Sequence, residues 1–351
     1  MKRRLLDLSP IELERALAER GAPGYRARQV WSWVIDRRAE RFESMTDLPR
    51  ALREELNESF EIFSTEIVAR SVDDDGTTKL LLACRDGETI ETVLMAEEHR
   101  RTVCVSTQVG CGMGCVFCAS GLKGVVRNLT RGEILEQIVR ERNQLPEGER
   151  VSHLVVMGMG ESLANLDELL AALEVVCAPA PLGLGLSQRR VTISTVGLPD
   201  KMRKLAELDR RYHLAVSLHA ATESLRDRLV PISHKVGLGA VIEASDRYFE
   251  RTGRQVTFEY VLLGGVNDRA DDARALADLM SRRSAHVNLI PYNPVAGLEF
   301  ERPSEDAVNR FTAILRGRSV SVTVRKTKGR VIDAACGQLR RGTAAVESTL
   351  L

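Results

Sequence analysis

Residues 101–120 read RTVCVSTQVGCGMGCVFCAS, and the passage from one texture to another inside them sets the fold. RTVCVST (101–107) is rich in β-branched residues, a Gly- and Cys-rich loop follows, and GEILEQIVRERNQ (132–144) then has apolar residues at helical spacing. The alternation recurs down the chain. Strand-like runs are SHLVVMG (152–158), RVTIST (190–195), HLAVSLH (213–219), VTFEYVLL (256–263) and HVNLIPY (286–292). Helical runs between and after them are LDELLAALEVV (166–176), DKMRKLAELDR (200–210), LGAVIEASDRYFERTG (238–253), ADDARALADLMSRR (270–283) and SEDAVNRFTAILRG (304–317). Six strand–helix units in succession predict a parallel sheet, because parallel neighbours need crossover connections and helices supply them. A full barrel needs eight units, and SVSVTVR (319–325) adds only one strand. The expected fold is therefore α/β, an incomplete (β/α)6 barrel of TIM type, with its chemistry at the carboxyl ends of the strands.

Outward from this core the texture changes. IELERALAERG (11–21) stops on Gly21, RARQVWSWVIDRRAE (26–40) places Val30, Trp31, Val34 and Ile35 on one helical face, and Thr46 and Asp47 precede a third run, LPRALREELNESF. Trp31 reads as core packing in preference to a base-stacking platform. TEIVARSV, TTKLLLACR and ETIETVLM, joined by turns at Asp73–Gly76 and at Asp86 and Gly87, read as a β-meander. The expected organisation is a helical accessory domain over 1–62, a β-meander extension over 63–100, the partial barrel over 101–340 and a tail over 341–351.

The 351 residues are 44% hydrophobic and 28% charged, which excludes a disordered, collagen-like or coiled-coil chain. No run approaches the roughly 20 apolar residues of a membrane helix, and the basic, periodic start lacks a secretory pattern, so a cytoplasmic protein without a membrane partner is expected. The net charge of +1 is uninformative, but Arg316, Arg318, Arg325, Lys326, Lys328, Arg330, Arg340 and Arg341 cluster against Asp333 alone. That segment is either a phosphate grip or a solvated basic face.

Seven cysteines make an odd number in a chain that is not small, which argues for metal or redox chemistry over a disulfide framework. Cys111, Cys115 and Cys118 have the spacing Cys-x3-Cys-x2-Cys, and three thiolates in one loop select zinc, copper or an iron–sulfur cluster. Closed zinc sites and ordinary clusters want a fourth ligand, and the loop contains no histidine. Three ligands on a cubane would leave one iron open, whereas a structural zinc site would have to be completed from elsewhere.

This triplet, with Phe117 before its last cysteine, resembles the radical S-adenosylmethionine (SAM) enzymes. VCVSTQVGC, RNLT (127–130), GMGE (158–161), RRVTIST (189–195), SLHA (217–220), LVPIS (229–233), TFEYVLL (257–263), NLIPYNP (288–294) and DAACGQL (333–339) together resemble the RlmN/Cfr family of RNA adenosine methyltransferases. The helical start resembles the accessory domain of that family, so the likeness covers nearly the whole chain.

The resemblance implies a 4Fe-4S cluster on Cys111, Cys115 and Cys118, and SAM bound by Gly160, Glu161, Ser194, Ser217, Leu218, His219 and Asn293. It implies catalytic roles for Cys336 as S-methyl carrier, Cys104 as the cysteine that resolves the RNA adduct through a disulfide, and Glu91 as proton acceptor. Read alone, each has a plain alternative: a glycine turn, loop-capping polar residues, a buried inert cysteine, a solvent-facing strand glutamate. Cys84 and Cys177 match no motif and read as structural. The chemistry agrees with so large a set, because carbon 2 of adenine is too electron-poor to attack a SAM methyl group whereas a thiolate can.

The implied activity is methylation of carbon 2 of an adenosine in 23S rRNA and of one in tRNA, served by an electron donor for the cluster, in a monomer. The alternatives are the Cfr-type reaction at carbon 8 and a non-catalytic zinc-stabilised RNA-binding protein. GMGESLAN, with Ser162 where the RlmN pattern has proline, and SQRRVTIST lean toward the Cfr branch, while the helical start, TFEYVLL and IDAACGQL lean toward the RlmN branch.

Overall fold

The structure is a computed structural model that describes residues 1–329 and 331–339. Arg330, Arg340 and Arg341 of the basic segment, and the tail over 341–351, lie outside the described residues.

One ten-stranded sheet organises the chain, and its strands lie side by side in sequence order. They are β1 (Glu66–Val72), β2 (Thr78–Ala83), β3 (Thr89–Glu97), β4 (Arg100–Cys104), β5 (His153–Val156), β6 (Val191–Thr195), β7 (His213–Ser217), β8 (Val256–Leu262), β9 (Ala285–Pro291) and β10 (Ser321–Val324). From β4 to β10 every neighbour is parallel. The sheet does not close, since β1 and β10 are its two edges, and the incomplete barrel expected from the alternation is the fold observed. The meander β1–β3 pairs antiparallel and is hydrogen-bonded onto β4, so it continues the barrel sheet.

Central strands are buried on both faces, as a parallel sheet covered by helices requires: Leu214, Ala215 and Val216 of β7 are fully buried. The helix Arg131–Asn143 starts on a capping box, with Thr130 and Glu133 each accepting the other's backbone N–H. It is buried around nearly its whole circumference, charged residues included. Glu133 pairs with Arg127 at 2.7 Å and Arg4 at 3.3 Å, and Glu136 accepts the backbone N–H groups of Ser64 and Thr65 while meeting Arg140 at 3.0 Å. Burial of Glu133 and Glu136 is tolerable because each is paired and hydrogen-bonded.

The N-terminal segment contributes the helices Pro10–Ala18, Tyr25–Ile35 and Arg50–Ser59, and the second of these is fastened to that helix by Arg142, which donates to the carbonyls of Val34 and Ile35. Trp31 is fully buried and its indole N–H donates to Leu182 O at 2.7 Å, the core role expected of it. Arg38 clamps the carbonyls of Leu145 and Glu149, and Asp7 accepts from Gly132 N. The start signal read at Thr46 and Asp47 is not used: Pro49 precedes the third helix without a side-chain cap, and Asp47 instead accepts from Trp33 Nε1 and pairs with Arg37.

Candidate active site

The carboxyl ends of β4 to β9 open into a cavity. Cys111, Cys115 and Cys118 line it together with Gly160, Glu161, Ser194, Ser217, His219, Asn293 and Cys336. These come from six separate places in the sequence, and the sheet brings them to one rim.

The cysteine loop is held from two directions. Cys111 N donates to Gly124 O at 3.0 Å, on the ribbon formed by Gln108–Gly110 and Val125–Asn128, and Val116 N donates to Leu229 O at 3.1 Å. Burial pushes the Cys111 thiol up to about 12, with Cys118 and Glu161 adding to the rise, and Cys115 is driven well above the ordinary thiol range by burial and by its two sister sulfurs. Three half-buried sulfurs facing one cavity therefore call for a positive centre to balance them as thiolates. Among the described residues no group of three His, Cys, Asp or Glu is arranged to hold a single ion, so a closed four-ligand zinc site is not built here. Three thiols on one loop are the donor type of an iron–sulfur cluster, which suits this set.

After β5 the chain passes through Gly158 and Gly160 at close quarters with the β4 end. A Cβ at Gly158 would lie 2.7 Å from the Val105 carbonyl, and one at Gly160, whose φ is +103°, would lie 2.6 Å from the Gln108 side chain. Only glycine lets this turn bring the Glu161 backbone against the β4 end. Glu161 is buried with both oxygens engaged: Leu163 N donates to Oε1 at 3.0 Å and Val196 N to Oε2 at 2.8 Å. Burial raises its pKa and these N–H groups pull it back. The result is a carboxylate aimed into the cavity and unable to swing away, a ready partner for an ammonium group. Ser162 is buried beside it, its hydroxyl donating to Val156 O at 3.2 Å.

His219 sits at φ +61° and accepts from Val261 N at Nδ1, so Nε2 carries the proton. Its pKa is depressed to about 3, first by burial and then by Arg226, and the ring is neutral at physiological pH. Arg226 is itself buried and binds the carbonyls of Leu218 and Val196, tying the ends of β6 and β7 together. Leu218 does not line the cavity: its side chain is fully buried and its N–H donates to Glu259 O.

A second, smaller cavity adjoins the first and shares Met157, Ile290, Asn293, Arg325 and Cys336 with it. Cys104, Val93, Met95, Lys326 and Lys328 complete much of its wall. Cys104 and Cys336, 232 positions apart in sequence, thus face one cavity. Burial pushes the Cys104 thiol up to about 12, with Cys336 adding to the rise. The segment that carries Cys336 is fastened on one side to the cysteine loop, through Ala119 N to Gly337 O at 2.8 Å and Ser120 Oγ to Leu339 O at 2.6 Å. On the other side it is fastened to the meander turn, through Gly329 N to Asp75 and Val331 N to Asp73, both at 3.1 Å.

Glu91 lines neither cavity among the residues that form their walls, but it is buried, not solvent-facing. It pairs with Lys79 Nζ at 2.9 Å, and that ammonium also donates to Asp333 O, three residues before Cys336. By strand alternation Glu91 shares a face with Val93 and Met95.

Residues 105–279 match the Radical SAM superfamily, and residues 4–62 match the ribosomal RNA large subunit methyltransferase N-terminal domain. The chain is 52% identical to a probable dual-specificity RNA methyltransferase RlmN of Rhodopirellula baltica, over 99% of this chain and 93% of that protein. It is 43% identical to the protein of the same description from Bacillus subtilis, over 94% and 90%. The chain belongs to the RlmN family of radical SAM enzymes. A crystal structure of a radical SAM methyltransferase from Sphaerobacter thermophilus superposes with a TM-score of 0.93 at 44% identity, covering 96% of this chain and 99% of that one.

Within this RlmN-family site, reasoning from the sequence missed two residues. Arg325, read there as part of a phosphate grip or solvated face, is drawn inward to line both cavities. Its guanidinium is held above its ordinary range chiefly by Cys336, then by Glu259 and Cys104. Glu259, buried on β8 and bonded to Asn288 Nδ2 at 2.7 Å, lines the first cavity. The signal for Glu259 was a lone carboxylate inside an apolar strand, VTFEYVLL.

Proposed function

We propose that this protein methylates carbon 2 of an adenosine in 23S rRNA and of an adenosine in tRNA, by way of an S-methylcysteine at Cys336. The observation that carries the reading is the position of Cys336 on the shared wall of two cavities, one lined by the three-cysteine loop and Glu161, the other by Cys104. A methyl carrier has to meet both the methyl source and the group that later releases the product, and a shared wall serves both.

In this reading Cys111, Cys115 and Cys118 hold a 4Fe-4S cluster, which supplies the electron for reductive cleavage of SAM. Glu161 takes the SAM ammonium, with its two backbone N–H bonds keeping the carboxylate in register. Ser194, Ser217, His219 and Asn293 line the same cavity, Gly160 gives backbone access, and Leu218 contributes through its main chain, since its side chain is buried elsewhere.

The Cys336 thiolate is the nucleophile that takes a methyl group, with the Arg325 guanidinium at hand to balance its charge. Once the methyl carbon has given up one hydrogen atom, which the radical from SAM cleavage would take, and has bonded to the adenine ring, Cys336 is tied to RNA by a thioether. Glu91 takes the ring proton, and Lys79 beside it is positioned to balance the carboxylate before that transfer. The Cys104 thiolate then attacks the Cys336 sulfur and breaks its bond to the methylene carbon; that carbon keeps the electron pair and takes a proton to become the methyl group, and the Cys104–Cys336 disulfide left behind must be reduced by an external dithiol. The protein acts in the cytoplasm as a monomer.

Carbon 8 is the competing position, favoured by Ser162 in GMGESLAN. The test is mass spectrometry of methyladenosine isomers in rRNA and tRNA from cells expressing the wild type, with a denaturing gel of the variants beside it. We expect 2-methyladenosine, a stable protein–RNA crosslink in Cys104→Ala, and none in Cys336→Ala. Only 8-methyladenosine overturns the regiochemistry; normal turnover by Cys104→Ala overturns the two-cysteine mechanism.

A further inference from the structure

The active-site rim is built at the carboxyl ends of the strands, and the amino ends carry a second concentration of charge. Three adjacent strands, β6, β7 and β8, are each entered by a loop that bears arginine: Arg189 two residues before Val191, Arg210 and Arg211 before His213, and Arg254 before Val256. Arg189, Arg210, Arg211 and Arg254 line one cavity, with Asp209 as the one acid in its wall. Neighbouring strands lie about 4.8 Å apart, so the three loops fall within about 10 Å of one another. At a rise of about 3.3 Å per residue, the seven residues of β8 set this cavity about 20 Å from the carboxyl-end rim.

These arginines are only partly spent inside the protein. Arg210 pairs with Glu174 at 3.4 Å, and Arg254 donates to the ring of His213. Burial and then Arg254 hold the His213 pKa below its ordinary range, so the ring is neutral at physiological pH and adds no charge. Arg189 and Arg211 are exposed, and among the described residues their side chains have no acceptor. The Arg211 backbone N–H donates to Gln188 Oε1 at 2.9 Å, which fastens the loop before β7 to the loop before β6. The helices Pro199–Glu207 and Leu238–Thr252 end close by, and helix carboxyl ends favour cations. That alone does not explain the cluster: the described side-chain bonds of Arg210 and Arg254 go to Glu174 and His213 and not to helix carbonyls, and Arg189 lies in the turn Gln188–Arg190, outside both helices. Like charges around one cavity repel, and an anion among them relieves the repulsion. Guanidinium forks match the oxygens of a phosphate, and the substrate of this family is a polyphosphate chain, RNA.

We infer that the arginine cavity at the amino ends of β6, β7 and β8 binds a phosphate group of the RNA substrate, at a distance from the adenosine being methylated. The inference rests on RNA methylation as the activity and is independent of which carbon is methylated and of the cysteine mechanism. A phosphate contact carries no base identity. The cavity therefore adds affinity to any RNA large enough to touch both ends of the barrel, fixes how that RNA lies on the protein, and adds nothing to a short one.

The test uses cluster-loaded full-length protein in filter binding across a salt series, with two RNAs: a 23S rRNA transcript and a short stem–loop cut around the methylated adenosine. Arg189→Gln/Arg211→Gln removes two charges without breaking a side-chain bond within the protein. For the transcript, the slope of log affinity against log salt is expected to become shallower by about 1.4 to 1.8, while the stem–loop keeps its wild-type slope. Arg189→Lys/Arg211→Lys keeps the charges and is expected to keep the steep slope; a slope as shallow as that of the Gln pair would make loop structure the cause and overturn the proposal. An unchanged transcript slope in the Gln pair overturns it, and so does an equal loss for both RNAs, which would place the contact at the active-site mouth. Equilibrium dialysis with inorganic phosphate separates the remaining source: saturable binding to wild type that the Gln pair lacks, with both RNA slopes unchanged, gives the cavity to a free anion and overturns the assignment to RNA. Failure of the RNA reading itself shows separately, as wild-type protein that binds neither RNA.

Discussion

Glu161 is the residue whose removal separates site chemistry from fold most cleanly, because its two oxygens have defined and different partners. In Glu161→Gln the side chain keeps its shape, and one oxygen can still accept from Leu163 N or from Val196 N. The amide nitrogen then faces the other backbone N–H, leaving a buried donor against a donor. An unsatisfied buried group of that kind costs about 1–3 kcal/mol of stability. On the ligand side, if Glu161 takes the SAM ammonium as proposed, the loss is a charge-assisted contact worth about 1.5–3 kcal/mol, or roughly tenfold to a hundredfold in Kd. Calorimetric titration of SAM into anaerobic, cluster-loaded protein measures the second quantity, and thermal unfolding the first. Glu161→Asp is the companion variant: it keeps the charge but draws the carboxylate back from Val196 N, so both effects should be present and smaller. A Kd for Glu161→Gln within about twofold of wild type, with the stability loss intact, would refute the ammonium role and leave Glu161 as a structural cap of the Ser162–Asn165 turn.

Lys326 and Lys328 line the second cavity near its basic margin, and if they meet RNA phosphates each adds about 0.7 to the slope of log affinity against log salt for a single strand. Filter binding by Lys326→Gln/Lys328→Gln across a salt series should therefore show a slope shallower by about 1.4, and an unchanged slope returns both to the solvated-face reading. His219 gives a pH signature of definite sign. Its folded pKa of about 3 lies below its ordinary 6.5, so below that value the unfolded chain binds a proton that the fold refuses. Stability is then full above about pH 7 and falls as the pH drops, by about 1.4 kcal/mol from about pH 7.5 to about pH 5.5 for this one group. Urea titrations of wild type and His219→Gln at both pH values check it: the variant should lose less on acidification by that amount, and equal losses would show that burial of a neutral His219 is not the cause.

How much of this was legible in the sequence depends on whether the signal was local. The partial barrel could be read because strand and helix periods differ and alternate six times, and the rim followed because strand ends are chain neighbours of the strands themselves. Gly158, Gly160 and Glu161 lie within four residues, and the three cysteines within eight, so their motifs survive without a third dimension. Arg325 and Glu259 have no such context. One lies at the end of a short edge strand amid other basic residues, the other in mid-strand, and only the folded sheet brings them to the cavity that Cys336 also lines. The Thr46 and Asp47 start signal misled for a related reason. A capping side chain is also a hydrogen-bond acceptor for anything else in reach, and here Trp33 and Arg37 take Asp47.

The meander illustrates the limit best. Its strands were legible, yet nothing in TEIVARSV or TTKLLLACR says that they belong to the site. They belong because the Cys336 segment has to be held from both sides to stand between two cavities. Ala119 and Ser120, directly after the last cysteine of the triplet, bind Gly337 and Leu339. Asp73 and Asp75, in a turn that reads as a simple hairpin, bind Val331 and Gly329, while Lys79 reaches Asp333 and joins it to Glu91. A segment near the carboxyl terminus, without regular secondary structure of its own, thus takes its position from a strand pair more than 250 residues earlier in the chain. The continuous sheet β1–β4 carries that position across to Cys104, whose partner on β3 is Val93. The geometry that lets two distant sulfurs face one cavity is therefore a property of the meander as much as of the barrel.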